Sequence, residues 1–404
     1  MNGAPTPFLR GAIRVRQPSS GYRFNVDSVL LAGFAWVCEG ERVLDLGTGT
    51  GILLLLLAHW HLPSSLVGVE IQPELARLAA LNLEENGWSE MGRVVEGDLR
   101  RADLLGGAQF DLAVCNPPYY RAGRGMASAH PLRATARQDA TASLADVLRA
   151  GARFLSSKGR LVLLCPAPRL GECLAEAAGA GLHPRLLRRV RSGPGAPEHV
   201  LLLQFRREAG RGCIALPDLH LRDEAGLYTP EVQEWLGDRP PLSPRFLCDA
   251  MVGKLARYLR LCGLDAAYAR EAEDEWLAEQ AARTGRVLLT RDRPLLAACE
   301  RRGIAAFEPP GDEPAAQFAA VLKRFGLSAE GARPRCLRCN APVFEVRREE
   351  ALGKVPPYTY LTHRRFSACS CCGRITWEGS HLERFEGVVR KLGSEDVRTW
   401  RGHG

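Results

Sequence analysis

The sequence predicts an α/β protein, and three observations predict it. Between residues 42 and 206, short hydrophobic runs alternate with helix-like stretches. A Pro-rich break, "GDRPPLSP" at 237–244, is followed by a second alternation of the same kind. From 334 the composition shifts to Cys, Arg and aromatics. Alternating strand and helix patterns imply mostly parallel sheets with helices on both faces. A chain of 404 residues is too long for one ordinary core. The expected boundaries are 1–236, a linker at 237–244, 245–332, and 333–404.

Residues 1–35 read as a lead-in ending in "GYRFNVDSVLLAGFA", with a helix from about Asp27. Apolar runs predict strands at "RVLDLG", "LVGVEI", "GRVVEGD", "FDLAVCNPP" and "GRLVLLCP". Between them, "TGILLLLLAHW", "PELARLAALNLEENG" and "SLADVLRAGARFL" predict helices. "PRLGECLAEAAGAG" predicts another helix, and "RLLRRV" and "HVLLLQFR" an antiparallel edge pair. After the linker, "RFLCD", "RVLLTRD" and "IAAFEP" predict strands. "VGKLARYLRLCG", "EDEWLAEQAARTG", "PLLAACERRG" and "AAQFAAVLKRFG" predict helices.

Hydrophobic residues make up 46% and charged residues 25% of the chain. The most apolar stretch, "GILLLLLAHW", falls short of the roughly 20 residues a membrane helix needs. The N-terminus has no apolar core of the signal-peptide kind. The expectation is a cytoplasmic protein with no membrane partner. Net charge is +8 and uneven: residues 1–240 carry 27 Lys+Arg against 25 Asp+Glu, and 241–404 carry 27 against 21. The excess in the second part favours a polyanionic partner. Thirteen cysteines in such a chain are not a disulfide framework. Eight are scattered and read as small core residues, whereas five cluster at 336–372.

"LDLGTGTG" puts Asp45, Gly47, Gly49 and Gly51 at the end of the first strand of the alternation, where glycines let the backbone turn tightly and approach a ligand. The next strand ends in Glu70, placed to accept from ribose hydroxyls, and the third in Asp98. Three successive strands ending in acids around a Gly-rich turn fit S-adenosylmethionine better than a dinucleotide. Asn116, Pro117, Pro118 and Tyr119 end the fourth strand. An amino group on a planar ring or amide is a poor nucleophile because its lone pair is delocalised. The Asn116 side-chain oxygen and the Pro117 carbonyl can accept its two N–H bonds, orienting the nitrogen toward a methyl donor. Proline fixes that backbone and removes a competing donor, and Tyr119 can stack on the flat acceptor.

On these residues the first part resembles class I methyltransferases of the N6-adenine type. It is most similar to the family that methylates the adenine beside the anticodon of valine tRNA. "GYRFNVDSVLLAGFA", "NPPYYRAG", "ATARQDATASLADVLRAGARFLSSKGRLVLL" and "YTPEVQEWL" carry the resemblance further. It implies that Asp45, Gly47, Gly49, Glu70 and Asp98 hold the cofactor, that Asp27 and Phe24 belong to a lid over it, and that 116–119 hold the target amine. The same tetrapeptide serves enzymes that methylate a glutamine side-chain amide, so protein glutamine N5 methylation stays open. The second tyrosine and the basic loop, with Arg121, Arg124, Arg133 and Arg137 as phosphate contacts, favour RNA.

In the second alternation Asp249 and Asp292 end strands, and Asp274 opens a helix. Strand-end carboxylates at one sheet edge repel unless a divalent cation sits among them, and Mg²⁺ or Mn²⁺ so held activates water for phosphodiester cleavage. "RFLCDAMVGKLARYLRLCGLDAAYA", "GRVLLTRDRPLL" and "RCLRCN…FSACSCCGRITWEGSH" resemble the Mut-seven C-terminal ribonuclease family, a PIN-like domain with a zinc ribbon. The resemblance implies Asp249, Asp274 and Asp292 as metal-binding acids, Thr290 supporting Asp292, and Lys254, Arg257 and Arg291 as phosphate contacts.

Cys336-x-x-Cys339 and Cys369-x-x-Cys372 form two pairs about 30 residues apart, each able to aim two thiolates at one tetrahedral ion. Four thiolates leave no open position, so a structural Zn²⁺ is expected; Cys371 and His381 have no assigned role. The expected whole is a class I (Rossmann-like) methyltransferase domain, then a PIN-like α/β domain and a small zinc ribbon. Its partner would be RNA, most simply tRNA. A C-terminal half that holds RNA without cutting it stays open, and nothing in the sequence sets an oligomeric state.

Overall fold

The structure is a computed structural model and describes residues 4–18, 24–117, 142–328 and 334–377, apart from 209, 211, 240 and 242. The chain divides into two compact units, Met1–Pro240 and Pro241–Gly404.

The first unit opens with a hairpin of β1 (Thr6–Phe8) and β2 (Ile13–Val15), then α1 (Val26–Phe34). An alternating run follows: β3 (Arg42–Leu46), α2 (Ile52–Trp60), β4 (Ser65–Glu70), α3 (Pro73–Glu85), β5 (Gly92–Glu96) and β6 (Phe110–Cys115). In the next described stretch come α4 (Leu144–Phe154), β7 (Leu155–Pro166), α5 (Leu170–Gly179), β8 (His183–Arg191) and β9 (Glu198–Arg206). Short β10 (Ile214–Ala215), β11 (Leu219–His220) and α6 (Pro230–Leu236) close the unit.

The sheet order is β5-β4-β3-β6-β7-β9-β8-β10, with β11 also on β8. Strands β5 to β7 are parallel, and β9 runs antiparallel to both its neighbours. The order reverses between β3 and β6, which opens a crevice beyond their carboxyl ends. α2 is apolar all round and buried from Ile52 to Ala58, as a helix covered on every side must be. Ser143 and Asp146 cap α4 reciprocally: the Asp146 amide donates to Ser143 Oγ, and the Ser143 amide donates to the Asp146 carboxylate.

The predicted antiparallel pair of β8 and β9 forms, but β8 is not the bare edge. β10 and β11 pair with it in parallel. The buried Arg188 fixes that outer layer: its guanidinium donates to Glu231 at 2.7 and 2.8 Å and to the Pro217 carbonyl at 3.0 Å. α6 then reaches α1, where Gly33 faces Trp235 so closely that a Cβ would lie 2.4 Å from the ring.

The second unit has four parallel strands in the order β13-β12-β14-β15: β12 (Phe246–Cys248), β13 (Ala266–Tyr268), β14 (Val287–Leu289) and β15 (Ala306–Phe307). Helices α7 (Gly253–Leu261), α8 (Asp274–Thr284), α9 (Arg293–Arg301) and α10 (Pro314–Phe325) connect or follow them. Its order reverses between β12 and β14. β16 (Val343–Val346), β17 (Phe366–Cys369) and β18 (Ile375–Trp377) make a separate antiparallel sheet, with α11 (Pro357–Thr362) between the first two.

Candidate functional site

The turn after β3 is held from beneath by Val69, whose carbonyl accepts from the Gly47 and Thr48 amides at 2.9 Å each. Glu70 closes it from the neighbouring strand: Oε2 accepts from the Gly49 amide at 2.9 Å and Oε1 from the Gln72 amide at 3.0 Å. Gly51 has φ +81°, and a Cβ there would sit 3.2 Å from that of Ala79, so α2 can start only with glycine at its cap. Asp45 is fully buried and accepts from Thr48 Oγ1 at 2.6 Å. Burial pushes its carboxyl up to about 7, against the Thr48 hydrogen bond and with the Glu70 charge adding to the rise.

Asp45 Oδ1 and Thr50 Oγ1 are buried with no hydrogen-bond partner in the protein. Two such orphans in one Gly-rich turn fit a cofactor that hydrogen-bonds there. Asn82 on α3 ties this turn to the lead-in: its amide nitrogen donates to the Thr50 carbonyl at 2.8 Å and the Arg16 carbonyl at 3.0 Å, and its oxygen accepts from the Arg16 amide at 2.7 Å. Asn82 and Asn86, four apart in "LNLEEN", were the only sequence signal for that clamp.

Asp98 lies two residues beyond β5 and is held by Arg100, whose Nε and Nη2 donate to it; that hydrogen bonding keeps its carboxyl below the usual range despite some burial. Asp27 accepts from Asn25 in the first turn of α1, and the Phe24 ring packs on Phe8 at 5.4 Å.

Asn116 follows β6 across the switch point from the Gly-rich turn. Its amide nitrogen donates to Ser28 Oγ on α1 at 3.1 Å, and Ser28 is buried. That contact ties the amide to α1. Pro117 is buried beside it. Pro118, Tyr119 and the arginines at 121, 124, 133 and 137 lie outside the described residues, as does His381. Ser28 lies within the lead-in "GYRFNVDSVLLAGFA", but it is 88 residues from Asn116 and nothing in that run marks it as the partner.

In the second unit Asp249 and Asp292 flank the other switch point. Thr290, wholly buried, joins them: its hydroxyl donates to Asp249 Oδ2 and accepts from the Asp292 amide at 2.9 Å. Thr290 therefore supports Asp249 as well as Asp292. Asp249 Oδ1 accepts from the Met251 amide, and Asp292 Oδ1 caps α9 through Leu295. Burial pushes the Asp249 carboxyl up, outweighing its hydrogen bonds, and the Asp292 charge adds to the rise. An acid pushed up by burial and by a like charge is one that a divalent cation would stabilise.

Asp274 is exposed at the start of α8, and the three carboxylates do not all approach within 4.8 Å of one another. Lys254 and Arg257 are exposed on α7, and Arg291 pairs with Asp312.

The thiols of Cys336, Cys339, Cys369 and Cys372 all lie within 4.8 Å of one another. Cys336 and Cys372 are 3.9 Å apart, and Cys339 and Cys369 3.4 Å. Tetrahedral Zn–S bonds of about 2.3 Å require sulfurs about 3.8 Å apart, so the cluster is compatible with a zinc ribbon. The Cys371 and Cys372 amides both donate to Cys369 Sγ at 3.4 Å, and Cys371 itself is buried.

The first knuckle is anchored on the parallel sheet. Asn340, with φ +58°, donates to Asp265 at 2.8 Å and accepts from the Ala266 amide at 3.2 Å. Arg335 donates to the Gly263 carbonyl, and Arg260 to that of Leu337, both at 3.0 Å. Burial disfavours the Asp265 carboxylate, but Arg286, Arg335 and Arg245 outweigh it and hold that carboxyl far below its ordinary value.

The sheet order, the Gly-rich turn and the acids beside it define a class I S-adenosylmethionine-dependent methyltransferase fold, and residues 43–151 match the family model of a methyltransferase domain. The chain belongs to the tRNA1(Val) (adenine(37)-N6)-methyltransferase family. It is 31% identical over 240 residues to the member from Yersinia pseudotuberculosis serotype O:3, covering 57% of this chain and 93% of that one. The Yersinia pestis Pestoides F member matches at 31% over 57% of this chain and 95% of its own. A crystal structure of a predicted O-methyltransferase from Agrobacterium tumefaciens overlays 53% of this chain and 96% of its own, at 21% identity and TM-score 0.43. Residues 244–389 match the model of the Mut7-C RNAse domain. Among the described residues no helix is long and apolar enough to cross a membrane.

Proposed function

We propose that the first unit transfers a methyl group from S-adenosylmethionine to the exocyclic N6 of an adenine in tRNA. The observation that carries this reading is Asn116 at the switch point, its amide nitrogen engaged by the buried Ser28. A planar amine would donate to the Asn116 side-chain oxygen and to the Pro117 carbonyl, with Tyr119 stacking on the base. Asp45, Gly47, Gly49, Gly51, Glu70 and Asp98 would hold the cofactor, Asp98 after releasing Arg100, and Asp27 would close over it. The relatives named above act on tRNA, and that substrate puts the work in the cytoplasm. Asn116→Ala is expected to abolish methyl transfer while leaving S-adenosylmethionine binding intact; near-normal transfer would refute the mechanism.

The second unit, in this reading, is a metal-dependent ribonuclease, with residues 245–332 as its body and 333–404 as a ribbon and tail. Asp249, Asp292 and Asp274 would bind Mg²⁺ or Mn²⁺, which would supply an activated water. Thr290 would hold the first two acids in register. Zinc on the four thiolates would be structural. Asp249→Asn should stop RNA cleavage and spare methylation. That the three carboxylates do not all lie within 4.8 Å of one another supports a second reading, in which this unit holds RNA without cutting it; absence of cleavage by the unmodified protein in either cation would favour it.

A further inference from the structure

The ribbon carries a surface that neither the carboxylates nor the thiolates use. α11 turns Thr359 and Tyr360 inward: Thr359 is buried, and Tyr360 stacks on Phe366 with centroids 6.1 Å apart and planes at 20°. Tyr358 and Leu361, three apart on the outer face, are each 76% exposed. The helix leads straight into His363, Arg364 and Arg365, both arginines exposed. Strand pairing sets Trp377 opposite Phe366, the residue that follows Arg365. Trp377 is 38% exposed and stands edge-on to His363 at 6.3 Å.

We propose that this face binds single-stranded RNA, with bases stacking on Tyr358 and Trp377 and phosphates meeting Arg364 and Arg365. Proteins that grip single strands combine aromatic platforms with a cationic track. Charge selects this occupant over an apolar protein surface: residues 347–365 hold five Arg or Lys against two Glu. One of those, Glu350, is already shared by Arg347 and Lys354. The inference rests on the ribbon alone and holds whether or not the neighbouring acids cut.

The test uses the full chain and a fluorescently labelled single-stranded oligouridine of about 12 nucleotides, a length within the range gripped by single-strand-binding OB folds. Its Kd is read by anisotropy at several salt concentrations. Tyr358→Ala should raise the Kd at least about fivefold, the low end of the loss for one stacked base. Tyr358 is too exposed for its loss to unfold the ribbon, and zinc content checks this. Arg364→Gln with Arg365→Gln should reduce the slope of log Kd against log salt by about 1.4, two contacts at about 0.7 each. Methyl transfer to tRNA, measured on the same preparations, reports the first unit separately. Unchanged Kd and salt slope in both variants, with the oligonucleotide held elsewhere, would overturn the proposal and leave the face to a protein partner.

Discussion

The Thr290 hydroxyl donates to one acid and accepts from the backbone of another, so a single buried oxygen sets their spacing. Thr290→Val keeps the shape and deletes both bonds, leaving a buried carboxylate oxygen short of a donor. The expected loss is about 1–3 kcal/mol in urea unfolding of the second unit, with Thr290→Ser close to the unmodified protein. Asp45 makes a prediction in pH. Its carboxyl is raised in the folded state to about 7, so the folded state holds the proton more tightly than the unfolded one. Stability from this group is therefore greatest below about pH 4 and falls as pH rises to about 7. Without cofactor, Asp45→Asn should be the more stable protein above pH 7, by on the order of 2–4 kcal/mol, and the gap should close toward pH 4. A cationic cofactor favours the ionised form, so S-adenosylmethionine affinity of the unmodified protein should rise between pH 6 and 8, by titration calorimetry.

Elements were legible in the sequence where apolar runs were long. β3, β4, β6 and β7 are rich in Val and Leu, and α2 is apolar from Ile52 to Ala58. β13 was not foreseen, since Ala-Ala-Tyr is three residues without a β-branched side chain and is a strand only because β12 offers it an edge. The lead-in hairpin escaped too; its turn places Leu9 and Arg10 at positive φ, which neither residue type announces. The acids and glycines at strand ends could be found because a parallel sheet brings its carboxyl ends to one edge. Their partners could not: Ser28 is 88 residues from Asn116, and Asn340 is 75 from Asp265. "YTPEVQEWL" gains a physical reason, with Glu231 held by Arg188 and Trp235 lying over Gly33. Gly33→Ala drives a methyl into that ring and should cost about 1–3 kcal/mol by thermal unfolding, partly recovered by a smaller residue at 235.

At the scale of the whole molecule, each unit places a strand-end acid where its own sheet reverses, Asp45 at the end of β3 in the first and Asp249 and Asp292 after β12 and β14 in the second. The second unit adds a dependence on its ribbon. Asn340, Arg335 and Arg260 tie the first knuckle to the segment between α7 and β13. Stripping the thiolate cluster with a strong zinc chelator should therefore speed backbone hydrogen exchange in 260–268 as well as in the ribbon. Exchange confined to 334–377 would show that the anchor does not couple them. The central claim concerns the acceptor. Full-length protein is incubated with methyl-labelled S-adenosylmethionine and bacterial tRNA lacking the modification, and the RNA is digested to nucleosides. The account predicts label in N6-methyladenosine; label absent from tRNA, or found on a protein glutamine, would contradict it.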